Sequence, residues 1–259
     1  MRRLQRLRRY VWPDGTLDRC TVVVTCLIIV PVAISLIRAG SHTWFPTGDM
    51  AQAELHMRGF WRHPPLVGAA GRIGNFMVPF GQGSHPGPAM WVAMLPVYLL
   101  LGRTSFALLA AVATVQLGFV ILSVALSRRA AGPAAGLATA LVMAVVARSL
   151  GPAVFLAPWN PWLALFAFAA FLSACWGVLL GRTNWLWIAV ATGTFALQCH
   201  VGYLALVVTG TALAALSVCV RWWRAPDRTA RWRRRLARPI GAAAAVGAVM
   251  WMPPVIDQV

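Results

Sequence analysis

The chain has 259 residues, of which 59% are hydrophobic and only 11% charged, and its mean hydropathy is strongly positive. Soluble domains carry about 25% charged residues, so this composition excludes the soluble globular class and points to a polytopic membrane protein. The formal charge of +17 comes from arginine and sits in short runs between apolar stretches. That is the pattern of cytoplasmic loops and not the basic, aromatic-interleaved face of a nucleic-acid binder.

The first segment, MRRLQRLRRYVWPDGTLDR, carries six arginines and leads into the run TVVVTCLIIVPVAISLI. Seventeen apolar or small residues just suffice for a helix across a hydrocarbon core of about 30 Å. A cleaved signal peptide is the rival reading. Its basic region would be unusually long, however, and Ile37-Arg38-Ala39-Gly40 makes a poor small-residue cleavage site. The expectation is a retained first span with residues 1–20 as a basic cytoplasmic N-terminus.

Residues 40–88 form the first long polar stretch, expected to lie outside the membrane. It holds two of the six carboxylates, four of the five histidines, three arginines and many Gly and Pro turns. Apolar segments follow at Ala89–Gly102, Phe106–Leu126, Ala130–Ala147 and Leu163–Leu180, the last preceded by the turn-rich SLGPAVFLAPWNPW. Asn184–Val220 is too long for one span and is predicted to be two helices turning around Gln198-Cys199-His200. Residues 221–238 hold eight arginines against one aspartate and read as a basic cytoplasmic loop. A last apolar run, Ile240–Met252, leads to Pro253-Pro254, read as the exit from a span. The whole chain, 1–259, reads as one all-α transmembrane helical bundle with about six to eight membrane segments.

Counting orientation from the two ends gives conflicting answers. Working back from the loop at 221–238 leaves an odd number of crossings for Ala89–Leu126, where hydropathy suggests two. Either Ala89–Gly102, short and interrupted by Pro96, is a partial or re-entrant helix, or Arg128-Arg129 breaks the positive-inside tendency; the former is the weakly favoured expectation. Under either choice the polar patches around Asp49, Asn160 and His200 share the outer face. The five cysteines lie in or beside apolar segments with no CxxC pair, so they read as free thiols and not as a disulfide framework.

Within the outer stretch, Asp49 three residues before Gln52 resembles a capping-box helix start, an N-cap of the kind worth about 1 kcal/mol. Met50, Ala53, Met57, Phe60 and Trp61 fall on one stripe, as in a helix lying on the membrane surface. Glu54 and Arg58, spaced i,i+4, read most simply as a solvated ion pair. His85-Pro86-Gly87-Pro88 leads into a span as a turn with its imidazole at the interface. Arg58, Arg62 and Arg72 suit lipid headgroups or a specific phosphate. Asn160 and His200 are polar groups near span ends, where helix–helix hydrogen bonding and ligand binding are both open.

Gly48-Asp49 followed by Glu54 and Arg58, then His85-Pro86-Gly87-Pro88 before a span, resembles the first outer loop of the GT-C superfamily of membrane glycosyltransferases. More narrowly it is similar to the actinobacterial members related to polyprenyl-phosphate-dependent arabinofuranosyl- and mannosyltransferases. Trp159-Asn160-Pro161 and Gln198-Cys199-His200-Val201-Gly202-Tyr203 resemble short motifs at later outer turns of that group. The resemblance implies a polyprenyl-phosphate sugar donor, a glycan or lipid acceptor of the cell envelope, and Asp49 as general base in an inverting transfer. It also implies positive charge for the leaving phosphate from Arg58, Arg62, Arg72 or His85, with Glu54 orienting the acceptor or holding an arginine, and substrate contacts from Asn160 and His200. Some members of the superfamily use a divalent metal; the spacing of Asp49, Glu54 and the histidines does not by itself make a metal site, and no cofactor is expected.

The resembling proteins continue through further spans, so the resemblance also implies an N-terminal portion of a longer protein. Two other classes stand beside the enzyme. A transporter or lipid-carrier flippase would be favoured by ionisable residues at mid-span, and none is convincing. A non-catalytic membrane scaffold or inactive fragment is the third reading. The discriminating feature is whether Asp49 opens into a cavity facing His85, Asn160 and His200 or is spent on its own helix start.

Overall fold

In lipid every backbone polar group must find a partner within its own segment, which leaves long apolar runs only the helix. The computed structural model describes residues 15–41, 44–71, 83–224 and 230–258. Its elements are α1 (Thr16–Ser41), α2 (Asp49–Gly59), β1 (Ala70–Gly71), β2 (Gly83–Ser84), α3 (Ala89–Leu100), α4 (Ser105–Ala131), α5 (Pro133–Leu150), α6 (Ala153–Leu156), α7 (Asn160–Leu179), α8 (Leu186–Cys199), α9 (Leu204–Arg224) and α10 (Ala230–Asp257). Short 3₁₀ turns at Thr183–Trp185 and Val201–Tyr203 lead into α8 and α9. Among the described residues, six helical segments are long and apolar enough to cross a membrane, within α1, α4, α5, α7, α9 with its leading turn, and α10. The protein is an all-α, multi-pass membrane helical bundle.

Helices in lipid gain little from the hydrophobic effect, so they associate where small side chains let backbones approach. Both central helices carry such faces. Ala107, Ala110, Ala111 and Ala113 of α4 and Ala164, Ala167, Ala170 and Ala174 of α7 are buried. Met90, Trp91, Met94 and Tyr98 of α3 fill the space beside them and are almost fully buried. Ser127 donates to Ser173 at 3.2 Å, holding the far ends of α4 and α7 together.

Side-chain contacts define two ends of the bundle. At one, Arg128 near the end of α4 grips Asp18 in the first turn of α1, with N–O distances of 2.6 and 2.7 Å. Arg221 of α9 donates to the carbonyl of Leu179 at the end of α7. Arg129, Arg182 and Arg224 belong to the same arginine-rich end. At the other end Gly40 lies against the Phe106 ring, Ser105 donates to Glu54 at 2.8 Å, and Asn160 donates to the Cys199 carbonyl at 2.9 Å.

These contacts resolve the odd crossing. The first residue of α3, Ala89, donates to Gln198, and beyond its last turn the Tyr98 hydroxyl donates to the Arg103 carbonyl beside Ser105. Both ends of α3 therefore lie at the same end of the bundle. It is the partial helix favoured from its length and Pro96. Conversely α8, though only 14 residues, runs antiparallel to α7, from Trp185 packed on Gly177 to Cys199 bonded by Asn160. With its leading turn it covers about 27 Å, nearly the core thickness.

Three expectations are corrected. Pro253-Pro254 does not end the last span: α10 continues through both to Asp257. Pro254 has no N–H for the Met250 carbonyl, and the Gln198 side chain supplies that donor at 2.7 Å. The stripe on α2 does not lie on a free membrane surface; Ala53 and Met57 are buried against α3, while Trp61 lies past the helix end and is 63% exposed. The Glu54–Arg58 pair is not solvated at its acidic end, since Glu54 is buried.

Candidate functional site

The polar groups that the sequence singled out meet at the end of the bundle opposite Arg128 and Arg221, around the start of α7 and the turn between α8 and α9. That turn is held by three of them. Asn160, in the first turn of α7 beside Pro161, donates its amide to the Cys199 carbonyl, one of the acceptors a helix C-terminus leaves open. The Val201 N–H donates to His85 Nδ1 at 3.2 Å, and the Gly202 N–H donates to His200 Nδ1 at 3.1 Å. The two imidazoles lie 4.9 Å apart between centroids. Burial, and secondarily the charge of His200, pull the His85 imidazole down to about 4, so at neutral pH it is an uncharged acceptor and not a cation for a phosphate.

His85 reaches the turn because its backbone is pinned as well. Its N–H donates to the Ala69 carbonyl and its own carbonyl accepts from Gly68, extending the antiparallel pairing of Ala70 with Ser84 and Gly71 with Gly83. Gly87 then passes so close to the Gln198 side chain that a Cβ would overlap it. Gln198 joins three elements: its Oε1 accepts the Ala89 N–H at 3.2 Å, an unpaired donor of the α3 N-terminus, and its Nε2 serves Met250 of α10.

Asp49 stands apart from this framework. The cap of α2 is Gly48, at φ 55°, and no side chain caps the helix. The first-turn N–H groups of Met50, Ala51 and Gln52 go to the carbonyls of Thr47 and Gly48, which leaves the carboxylate no capping task. The expected Asp49 cap and capping box are therefore absent, and the reason is the left-handed glycine one residue earlier. The Asp49 carboxylate is exposed and lines a small cleft with Gln52, His56, Trp91, Trp159 and Asn160, about 30 Å³ in volume and partly open to solvent. This is well below the size range of enclosed small-molecule sites. Asn160 is the candidate that belongs to both the cleft and the turn; His85 and His200 stand behind it.

Glu54 lies elsewhere. Both of its oxygens are occupied: Oε1 accepts from Arg58 at 2.5 and 2.9 Å, and Oε2 from Ser105. Of the two roles expected for it, the one visible is holding an arginine, and the pairing keeps the Arg58 guanidinium still more firmly protonated. Arg62 is exposed in the turn after α2, and Arg72 lies outside the described residues. Neither Arg58 nor Arg62 lines the cleft. Among the described residues no three potential metal-ligating side chains converge.

The sequence reading missed Gln52, His56 and Trp91 as site residues. Their signal was spacing: Asp49, Gln52 and His56 stand at i, i+3 and i+7, one face of a helix. The His56 ring stacks on Trp91 at 5.1 Å and 5° between planes, and Trp91 is fixed by donating its indole N–H to the Val67 carbonyl at 3.2 Å. Trp159, quoted in a motif but not assigned a role, contributes a half-exposed aromatic wall. No family model, curated protein or solved structure matches this chain.

Proposed function

We propose that this protein is a membrane glycosyltransferase that moves a sugar from a polyprenyl-phosphate donor to a glycan or lipid acceptor, with Asp49 as the general base. The observation that carries the reading is the Asp49 carboxylate, uncommitted among the described residues, at the mouth of an aromatic, amide-lined cleft. A base must come within hydrogen-bond reach of the hydroxyl it deprotonates. Gln52 and Asn160 offer amide groups to sugar hydroxyls, and the exposed face of Trp159 suits the apolar side of a sugar ring. In the transfer, the acceptor oxygen loses its proton to Asp49 and attacks the anomeric carbon. The bond to the phosphate oxygen breaks, polyprenyl phosphate leaves, and the configuration inverts.

The arginine-rich end is assigned to the cytoplasm by the positive-inside rule, which puts the cleft on the extracytoplasmic side of the cell membrane. A lipid-linked donor reaches such a cleft from within the bilayer. The positive charge that a departing phosphate requires is assigned to Arg58 and Arg62 on the sequence resemblance alone, since neither lines the cleft. The transporter and scaffold readings lack a comparable supporting feature, since the ionisable groups of the cleft sit at the end of the bundle and not at mid-span.

The test is transfer from a labelled polyprenyl-phosphate pentose or hexose by the purified protein in liposomes. A glycosylated product of inverted anomeric configuration is expected. Failure with every donor and acceptor offered, while the protein stays folded, would count against the transferase reading and for the scaffold.

A further inference from the structure

Among the described residues the cleft contains one ionisable side chain besides Asp49, His56, and two contacts fix its position. His56 Nδ1 lies 2.9 Å from the Gln52 carbonyl. A carbonyl only accepts, so Nδ1 carries the proton, and in that tautomer Nε2 is the acceptor. The stack on Trp91 fixes the plane of the ring, and the bond to the Gln52 carbonyl selects the face on which Nδ1 lies. By the geometry of imidazole, Nε2 points away from the helix backbone that Nδ1 faces, and among the described residues no partner is recorded for it. Asp49, Gln52 and His56 thus place a carboxylate, an amide and an oriented acceptor along one helical face.

Among the described residues no arginine lines this cleft, and the one charge-bearing group of fixed sign there is the Asp49 carboxylate, which repels an anionic phosphate. We infer that His56 is a specificity-determining residue for a neutral sugar ring: its Nε2 accepts a ring hydroxyl proton while the ring lies against Trp159, so that this cleft takes the acceptor sugar and excludes the phosphate of the donor. The inference rests on the transferase reading for the word acceptor, but the binding itself does not. The cleft is small, about 30 Å³, so the sugar ring lies across its open mouth with one edge turned toward His56.

The experiment is saturation-transfer NMR on the full-length protein in nanodiscs, titrated with methyl glycosides of hexoses and pentoses and, separately, with inorganic phosphate and a short-chain prenyl phosphate. His56→Phe is the informative variant, because phenyl keeps the stack on Trp91 and removes the acceptor together with the bond to the Gln52 carbonyl; unchanged helix content confirms that it folds. At least one glycoside is expected to bind saturably to the wild type, and about tenfold more weakly to His56→Phe, the loss of one good hydrogen bond. Equal binding by the two proteins, no glycoside binding by the wild type, or displacement of the glycoside by inorganic phosphate would each overturn the inference. The two readings fail separately. Glycoside binding that depends on His56 without any sugar transfer sinks the transferase and leaves the subsite; transfer whose acceptor KM is unmoved by His56→Phe does the reverse.

Discussion

Gln198 offers the sharpest test of how this bundle is held together. Replacing it with leucine keeps the volume and deletes two hydrogen bonds, one from the Ala89 N–H at 3.2 Å and one to the Met250 carbonyl at 2.7 Å. In water, leaving each buried group unpaired would cost about 1–3 kcal/mol. Between helices in lipid the measured value is smaller, about 0.6 kcal/mol on average and about 1.7 at most, because the unfolded chain in the membrane also finds partners. Gln198 is 1% exposed, and its bond to Met250 is short, so the expected loss is about 2 kcal/mol, with the larger share at Met250. That share can be isolated. Pro254→Ala restores the N–H that α10 lacks four residues after Met250, giving the carbonyl a second possible donor. In the wild type this donor competes with Gln198 and adds little; in Gln198→Leu it recovers about 1 kcal/mol as a coupling energy. The assay is reversible SDS unfolding in mixed micelles followed by circular dichroism, with hydrogen exchange at the Ala89 amide as a local readout. A loss below about 0.5 kcal/mol, or additive effects of the two substitutions, would refute the claim that Gln198 replaces the donor missing at Pro254.

Three further outcomes are expected. His85 titrates near 4 in the folded protein and near 6.5 when unfolded, so protonation favours the unfolded state. Stability is fully present above about pH 6.5 and falls as the pH drops from there to about 4, by at most about 3 kcal/mol. His85→Gln, which keeps an acceptor for Val201, should flatten that slope; an unchanged slope would contradict the assignment. Gly87→Ala forces a methyl into Gln198 and should cost about 1–3 kcal/mol, less in a Gln198→Ala background; equal cost in both would show that the clash lies elsewhere. Of the Asp18–Arg128 pair, Asp18 is the buried member, its side chain 9% exposed against 38%. Arg128→Leu should therefore destabilise more than Asp18→Asn, by roughly 3 against roughly 1 kcal/mol, and the reverse order in SDS unfolding would undo the argument.

The apolar runs announced most of the spans, and the polar break at Gln198-Cys199-His200 announced the turn between α8 and α9. Local patterns suffice there because a helix in lipid satisfies its own backbone. What was not legible depends on partners far along the chain. Pro253-Pro254 looked like a helix end because the donor that relieves it, Gln198, lies more than fifty positions away. Glu54 looked solvated because Ser105, which bonds to it, comes two helices later. At the site, Asp49, Asn160 and the paired histidines were legible as types, but not the division among them. His85, Asn160 and His200 each spend a ring nitrogen or an amide on the turn. The Asp49 carboxylate stays uncommitted because Gly48, at a positive φ, lets backbone carbonyls take the first N–H groups of α2.

The central claim is that this uncommitted carboxylate is the base of a sugar transfer, and Asp49→Asn tests it most directly. Asparagine keeps the size and hydrogen-bonding reach but cannot take the proton, and Asp49 supports nothing else in α2, so folding should be unaffected. Transfer from a polyprenyl-phosphate sugar by the purified variant should fall about 10²–10⁴-fold, the usual contribution of a general base, while methyl glycosides still bind. Equal transfer by Asp49→Asn and the wild type would contradict the account.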